Sequence, residues 1–135
     1  MARGETLPVL AADTVVLCEG EALGKPESAG EARRMLRLLA GRTHDVVTGV
    51  CVASGGVLRS GIEHTAVAFA PMTDAEIDWY VGTGEPFDKA GAYHVDGVGS
   101  AFIEGVSGSP SNVAGLPVRL VLRLLREAGL GLGPS

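Results

Sequence analysis

The sequence predicts one α/β domain spanning residues 1–135. Three observations carry this: β-rich apolar runs alternate with helix-like segments, two of those segments open on a Ser/Thr-x-x-Glu pattern, and 135 residues with 46% apolar and 20% charged side chains are enough for one core. Residues 7–17 are apolar on both alternating faces, the pattern of a strand covered on both sides, with Asp13 as the exception. Ser28-Ala-Gly-Glu31 has the spacing of a capping box, and Ala32, Met35, Leu36 and Leu39 then recur at helical intervals until Gly41. Residues 44–53 and 57–69 are β-rich runs joined by Ser54-Gly55-Gly56, a hairpin signal. Thr73-Asp-Ala-Glu76 is a second capping box, and Ile77, Tyr80 and Val81 form the apolar face of a helix ending near residues 82–84. The glycine-rich stretch 91–108 is expected to hold one or two strands, with 100–106 the better candidate. Pro117 suits the first turn of a last helix with Val118, Val121, Leu122 and Leu125 as its buried stripe, and 129–135 reads as a frayed tail.

Composition excludes several classes of function. The net charge of −5 supplies no global basic field for a nucleic-acid backbone, so an anionic ligand needs a local cluster of cations. No apolar run is long enough to cross a bilayer, and the N-terminus lacks a signal-peptide pattern. Cys18 and Cys51 lack the paired spacing of a zinc or redox motif and read as reduced, buried thiols of a cytoplasmic protein. Nine of the 11 basic residues are Arg. Arg33, Arg34, Arg37 and Arg119, Arg123, Arg126 read as solvated helix faces, whereas the two lysines, Lys25 and Lys89, fall in loop-like segments.

Several residues could carry chemistry. Asp13, inside an apolar strand, is costly unless it is paired, metal-bound or set where the strand meets a cleft. Lys25, between glycine and proline, could aim an ammonium at a phosphate or be an ordinary surface lysine. Residues 85–91 gather Glu85, Asp88 and Lys89 at a density found in binding loops and in plain turns. Asp96 lies among glycines that permit close approach of a ligand, or it marks a β-turn. His44, His64 and His94 lack zinc-ligand spacing, and Ser107 to Asn112 lacks the ending of a P-loop.

Five segments, in order, resemble the Maf family of nucleoside triphosphate pyrophosphatases: Ala11-Ala-Asp-Thr-Val-Val16, Leu23-Gly-Lys-Pro26, Gly41-Arg-Thr-His44 with Thr48-Gly-Val50, Thr83-Gly-Glu-Pro-Phe-Asp-Lys-Ala-Gly-Ala-Tyr93, and Ser111-Asn-Val-Ala-Gly-Leu-Pro117. The resemblance spans residues 7–125. It implies the mixed-sheet fold of inosine triphosphatases and a cytoplasmic enzyme that cleaves a nucleoside triphosphate, including modified or non-canonical ones, to monophosphate and pyrophosphate with a divalent cation, Mg or Mn. It further implies Asp13 as proton acceptor and metal ligand, Lys25 and Lys89 as neutralising cations, and Thr14 and Asp96 as residues that set base preference. Glu85 and Asp88 join the substrate-binding set, and a homodimer is compatible with it.

Two departures shape these expectations. The branch acting on thymidine and uridine triphosphates carries Gln where this chain has Asp96. A carboxylate only accepts, so Asp96 points toward a base with two donors, such as guanine. Family members also begin with a strand and helix bearing Ser-x-Ser-x-Arg-Arg, for which this sequence has no match; the expectation is an N-terminally truncated domain. The runner-up reading is a catalytically impaired fragment that binds nucleotide weakly or acts through protein contacts.

Overall fold

A computed structural model of the chain describes residues 8–130. The described residues form five strands and four helices: β1 (Val9–Cys18), β2 (Glu21–Leu23), α1 (Ala29–Leu39), β3 (Thr43–Ser54), β4 (Val57–Phe69), α2 (Asp74–Gly82), β5 (Ile103–Ser107), α3 (Pro110–Val113) and α4 (Val118–Glu127). Three short 3-10 turns, Glu85–Asp88, Ala90–Ala92 and Val98–Phe102, fill most of the chain between α2 and β5. The strands form one sheet in the order β2-β1-β3-β4-β5, and every pairing among the described residues is antiparallel. The α/β class holds, while the mixed sheet expected with it is antiparallel throughout the described residues.

Local chemistry accounts for the element ends. The Ser28 side chain accepts the Glu31 N–H, while the Glu31 carboxylate accepts from Glu27 N. Thr73 and Glu76 form a complete reciprocal box at α2. The β3–β4 turn places Gly55 and Gly56 at φ 54° and 82°, the left-handed pair that a tight hairpin with the twist of its strands requires.

Among the described residues, the sheet is packed on one face only. Along β3 the buried residues are His44, Val46, Thr48, Val50 and Val52, all of one parity, and their neighbours on the same face of β1 and β4 include Val16, Thr65 and Val67. One cluster joins Val16, Val46 and Val67 to Met35, Leu36 and Leu39 of α1 and to Ile77 and Tyr80 of α2. A second packs Leu120, Val121 and Leu124 of α4 on Val50 and Val52. Arg33 and Arg37 of α1 pair with Asp78 and Asp74 of α2, and Arg34 pairs with Glu21 of β2.

Several expectations need correction. The first half of β1 is not covered on both sides: residues 9–13 are exposed, because the helices occupy one face and β2 pairs only with Val16, Leu17 and Cys18. Asp13 is thus an exposed carboxylate, and Cys51 is half-buried where Cys18 is buried. The stripe of α4 is rotated, with Leu120, Val121 and Leu124 buried and Val118 exposed. Apolar residues fill a broad arc of this helix opposite Arg119, Arg123 and Arg126, so spacing alone does not fix which part of that arc is buried. Of the α1 arginines, Arg34 and Arg37 are exposed and Arg33 half-buried, and all three are ion-paired. In the stretch 100–106 a 3-10 turn runs to Phe102 before β5 begins. Of the expected tail, Gly129 and Leu130 close α4 through hydrogen bonds to Arg126 O and Leu125 O. Leu7 and residues 131–135 lie outside the described residues.

A cavity at the buried face should cost far more than a truncation outside it. Leu36→Ala is expected to lower the unfolding free energy by about 2–5 kcal/mol, and Leu58→Ala, at an exposed position on β4, to change it by no more than about 0.5 kcal/mol in urea titrations.

Candidate active site

A hollow of about 610 Å³ opens where β1 meets the loop after β2 and the turns after α2. Both lysines line it, together with Asp13, Thr14 and Asp88. Thr14 leaves β1 on the packed side, where its hydroxyl lies 2.9 Å from that of Thr48. Strand alternation sends Asp13 to the other side, opposite Gly49 and Ile62, and Asp13 lines both this hollow and a shallower one over the open face.

Lys89 is held at the hollow by its surroundings. Its Nζ donates to Ala114 O at 3.2 Å, just beyond α3. α3 is in turn pinned to the sheet by Asn112, whose buried Nδ2 reaches Val46 O, Glu63 O and Thr65 Oγ1 at 3.0, 3.3 and 3.0 Å. The wall beside it is Tyr93, whose hydroxyl shares a 2.7 Å hydrogen bond with His44 Nε2 under edge-on contacts with Phe69. Burial lowers the His44 pKa to about 4, against a smaller opposing pull from Asp45, and the same burial pushes the Tyr93 hydroxyl upward. Both groups are therefore neutral at pH 7.

Asp96 does not line this hollow. It lies with Gly84, Glu85, His94 and Gly97 around an adjacent recess of about 380 Å³, and Asp88 lines both. Glu85 differs from the other candidates, since its oxygens accept from Tyr80 Oη, Gly99 N and Val98 N at 2.5, 2.9 and 3.0 Å. Burial alone would raise its carboxyl; those three hydrogen bonds outweigh it and hold the group below the ordinary carboxylate value.

Sequence reasoning missed Glu27, a carboxylate on the rim, and the supporting residues Tyr93, Asn112 and Tyr80. Glu27 carried no signal of its own. Tyr93 and Asn112 stood inside quoted segments, but their partners are 49 and 47 to 66 residues away in sequence. Among the described residues, no three His, Cys, Asp or Glu are gathered closely enough to enclose a metal. Asp13, Glu27 and Asp88 nonetheless bring hard oxygen donors to one hollow. That set fits a cation of the magnesium kind, which takes one or two carboxylates and completes its shell with phosphates and water.

The family model described as "Maf-like protein" matches residues 2–128. The chain belongs to this family. Among relatives, this Maf-like chain is 58% identical over 128 residues to the dTTP/UTP pyrophosphatase of Anaeromyxobacter dehalogenans strain 2CP-C, covering 92% of the chain and 66% of the relative. It is 50% identical over 125 residues to that of Chromobacterium violaceum, covering 93% and 63%. With that of Pyrococcus horikoshii it shares 45% over 127 residues, covering 94% and 67%. The chain thus spans about two thirds of the length of these curated relatives.

The buried His44 links stability to pH. Above pH 6.5 it is neutral folded or unfolded; between 6.5 and about 4 the unfolded chain binds a proton that the folded one refuses. Stability is expected to fall by up to about 3 kcal/mol as pH drops through this window, as urea midpoints would record, and His44→Gln should remove that component.

Proposed function

We propose that the hollow is a nucleoside triphosphate pyrophosphatase site, which cleaves the α–β phosphoanhydride bond to give a nucleoside monophosphate and pyrophosphate. The observation that carries this reading is that both of the chain's lysines line one hollow with Asp13, in a member of the Maf-like family. The ammonium groups of Lys25 and Lys89 neutralise a triphosphate that the net charge of −5 would otherwise repel. Lys89, tethered to Ala114 O, holds a fixed position against the phosphates, while Lys25 lines the same hollow from its exposed loop. Asp13 takes the proton from the attacking water as the new P–O bond forms and the bridging P–O bond breaks with pyrophosphate leaving. A divalent cation, Mg or Mn, held by Asp13 with help from Glu27 or Asp88 and the phosphates, would supply Lewis-acid polarisation and charge neutralisation.

Thr14 and Asp96 set base preference in this reading. The relatives' names support a pyrimidine substrate, dTTP or UTP. A specific observation favours a second preference: Asp96 can only accept, which suits the paired N–H donors of guanine better than the acceptor–donor–acceptor edge of uracil or thymine.

Purified chain with Mg²⁺ or Mn²⁺ and a panel of dTTP, UTP, GTP and CTP is expected to release pyrophosphate, and Asp13→Asn to reduce the rate by about 10²–10⁴-fold at intact folding. Lys89→Met should act on phosphate affinity and turnover together, losing about tenfold or more in kcat/KM. Wild-type chain that binds nucleotide without releasing pyrophosphate, or Asp13→Asn at full rate, would overturn the proposal. GTP as best substrate favours the guanine preference; dTTP and UTP as best, unaffected by Asp96→Gln, reject it.

A further inference from the structure

We propose that Glu85 is a positioning residue for base selection: it clamps the segment bearing Asp96 onto the segment bearing Asp88 and Lys89, fixing the base-reading recess relative to the phosphate hollow. This rests on the pyrophosphatase reading, in which Asp96 faces the base.

The geometry of the clamp is specific. Glu85 opens the 3-10 turn that ends at Asp88, and its carboxylate reaches across to the backbone N–H groups of Val98 and Gly99, two and three residues beyond Asp96. Tyr80, from the last turn of α2, donates its hydroxyl proton to Glu85 Oε1 and accepts the His94 N–H at 3.1 Å, so the same pair also holds the near side of the Asp96 segment. The end of α2, the turn that follows it and the chain just beyond Asp96 thereby meet at one carboxylate.

Where the loop comes in, a side chain larger than glycine would displace the clamp. A Cβ on Gly97 would stand 2.5 Å from Glu85 Oε2, and one on Gly99 would stand 2.5 Å from Tyr80 Oη. The hydrogen bonds keep Glu85 ionised, and burial followed by the bond to Glu85 pushes the Tyr80 hydroxyl upward, so the donor stays a donor. A carboxylate engaged in this way offers little to a triphosphate, whose charge it would repel; its effect on substrate passes through Asp96 and Asp88. The recess that Glu85, Asp88 and Asp96 share is the place where such an effect would be felt.

Glu85→Gln and Tyr80→Phe test the clamp, with hydrogen exchange at the Val98 and Gly99 amides and kcat and KM measured separately for dTTP, UTP, GTP and CTP. Glu85→Gln is expected to speed exchange of both amides by about tenfold or more and to compress the spread of kcat/KM across the four substrates by about tenfold. The compression should arise in KM, with kcat on the best substrate within about threefold of wild type, and Tyr80→Phe should act in the same direction more weakly. Should Glu85→Gln fail to fold, Tyr80→Phe carries the same comparison. An unchanged spread despite faster exchange would reduce the clamp to a structural tie and overturn the inference, as would a collapse of kcat with selectivity intact. Wild-type chain that neither hydrolyses the panel nor binds non-hydrolysable α,β-methylene analogues would overturn the pyrophosphatase reading and this inference together; loss confined to the variant's selectivity pattern separates the two.

Discussion

Thr14 and Thr48 share a buried-side hydrogen bond across β1 and β3, and the register around it decides where every candidate residue on β1 stands. Side chains alternate along a strand, so a slip of one residue would exchange the faces of Asp13 and Thr14 and carry Val16 out of the core. The slip is resisted from both directions. Val16, Cys18, Val46 and Val67 bury on one face only, and the hairpin between β3 and β4 fixes the neighbouring ladder through its two-glycine turn. The hollow inherits its floor from this ladder, and its rim from loops that close over the strand ends.

The two kinds of cationic side chain are used differently. Arginines of α1 make exposed pairs with Asp74, Asp78 and Glu21, contacts individually worth about 0–1 kcal/mol that mainly align α1 with α2 and β2. The lysines are kept for the hollow, one on an exposed loop and one tied to a backbone carbonyl beyond α3. An acidic chain can therefore bring both of its ammonium groups to one hollow, beside the carboxylates of Asp13, Glu27 and Asp88.

What was legible in the sequence was mostly local. The Thr73–Glu76 box, the Gly55–Gly56 turn and the face formed by Ile77, Tyr80 and Val81 are each set by residues within a few positions of one another, and each stands as expected. Long-range packing was not. The open half of β1 depends on which sheet face the helices choose, and the buried face of α4 depends on Val50 and Val52, far upstream. The segment motifs brought Asp13, Lys25 and Lys89 forward as candidates, and they line one hollow, whereas no motif announced the three donors that engage the Glu85 carboxylate. Its partners Val98 and Gly99 contribute backbone N–H groups, which leave no trace in residue identity. Asn112 and the His44–Tyr93 pair were hidden for the same reason of distance along the chain.

Because Lys25 and Lys89 are the only side-chain amines and both border the same hollow, amine-directed chemistry has an unusual selectivity in this molecule. An aldehyde or active ester that acylates or condenses with lysine would label the mouth of the recess and leave the guanidinium-bearing helices untouched. Occupancy by any anion could then be followed as protection of two lysines by mass, without a chromophore and without turnover.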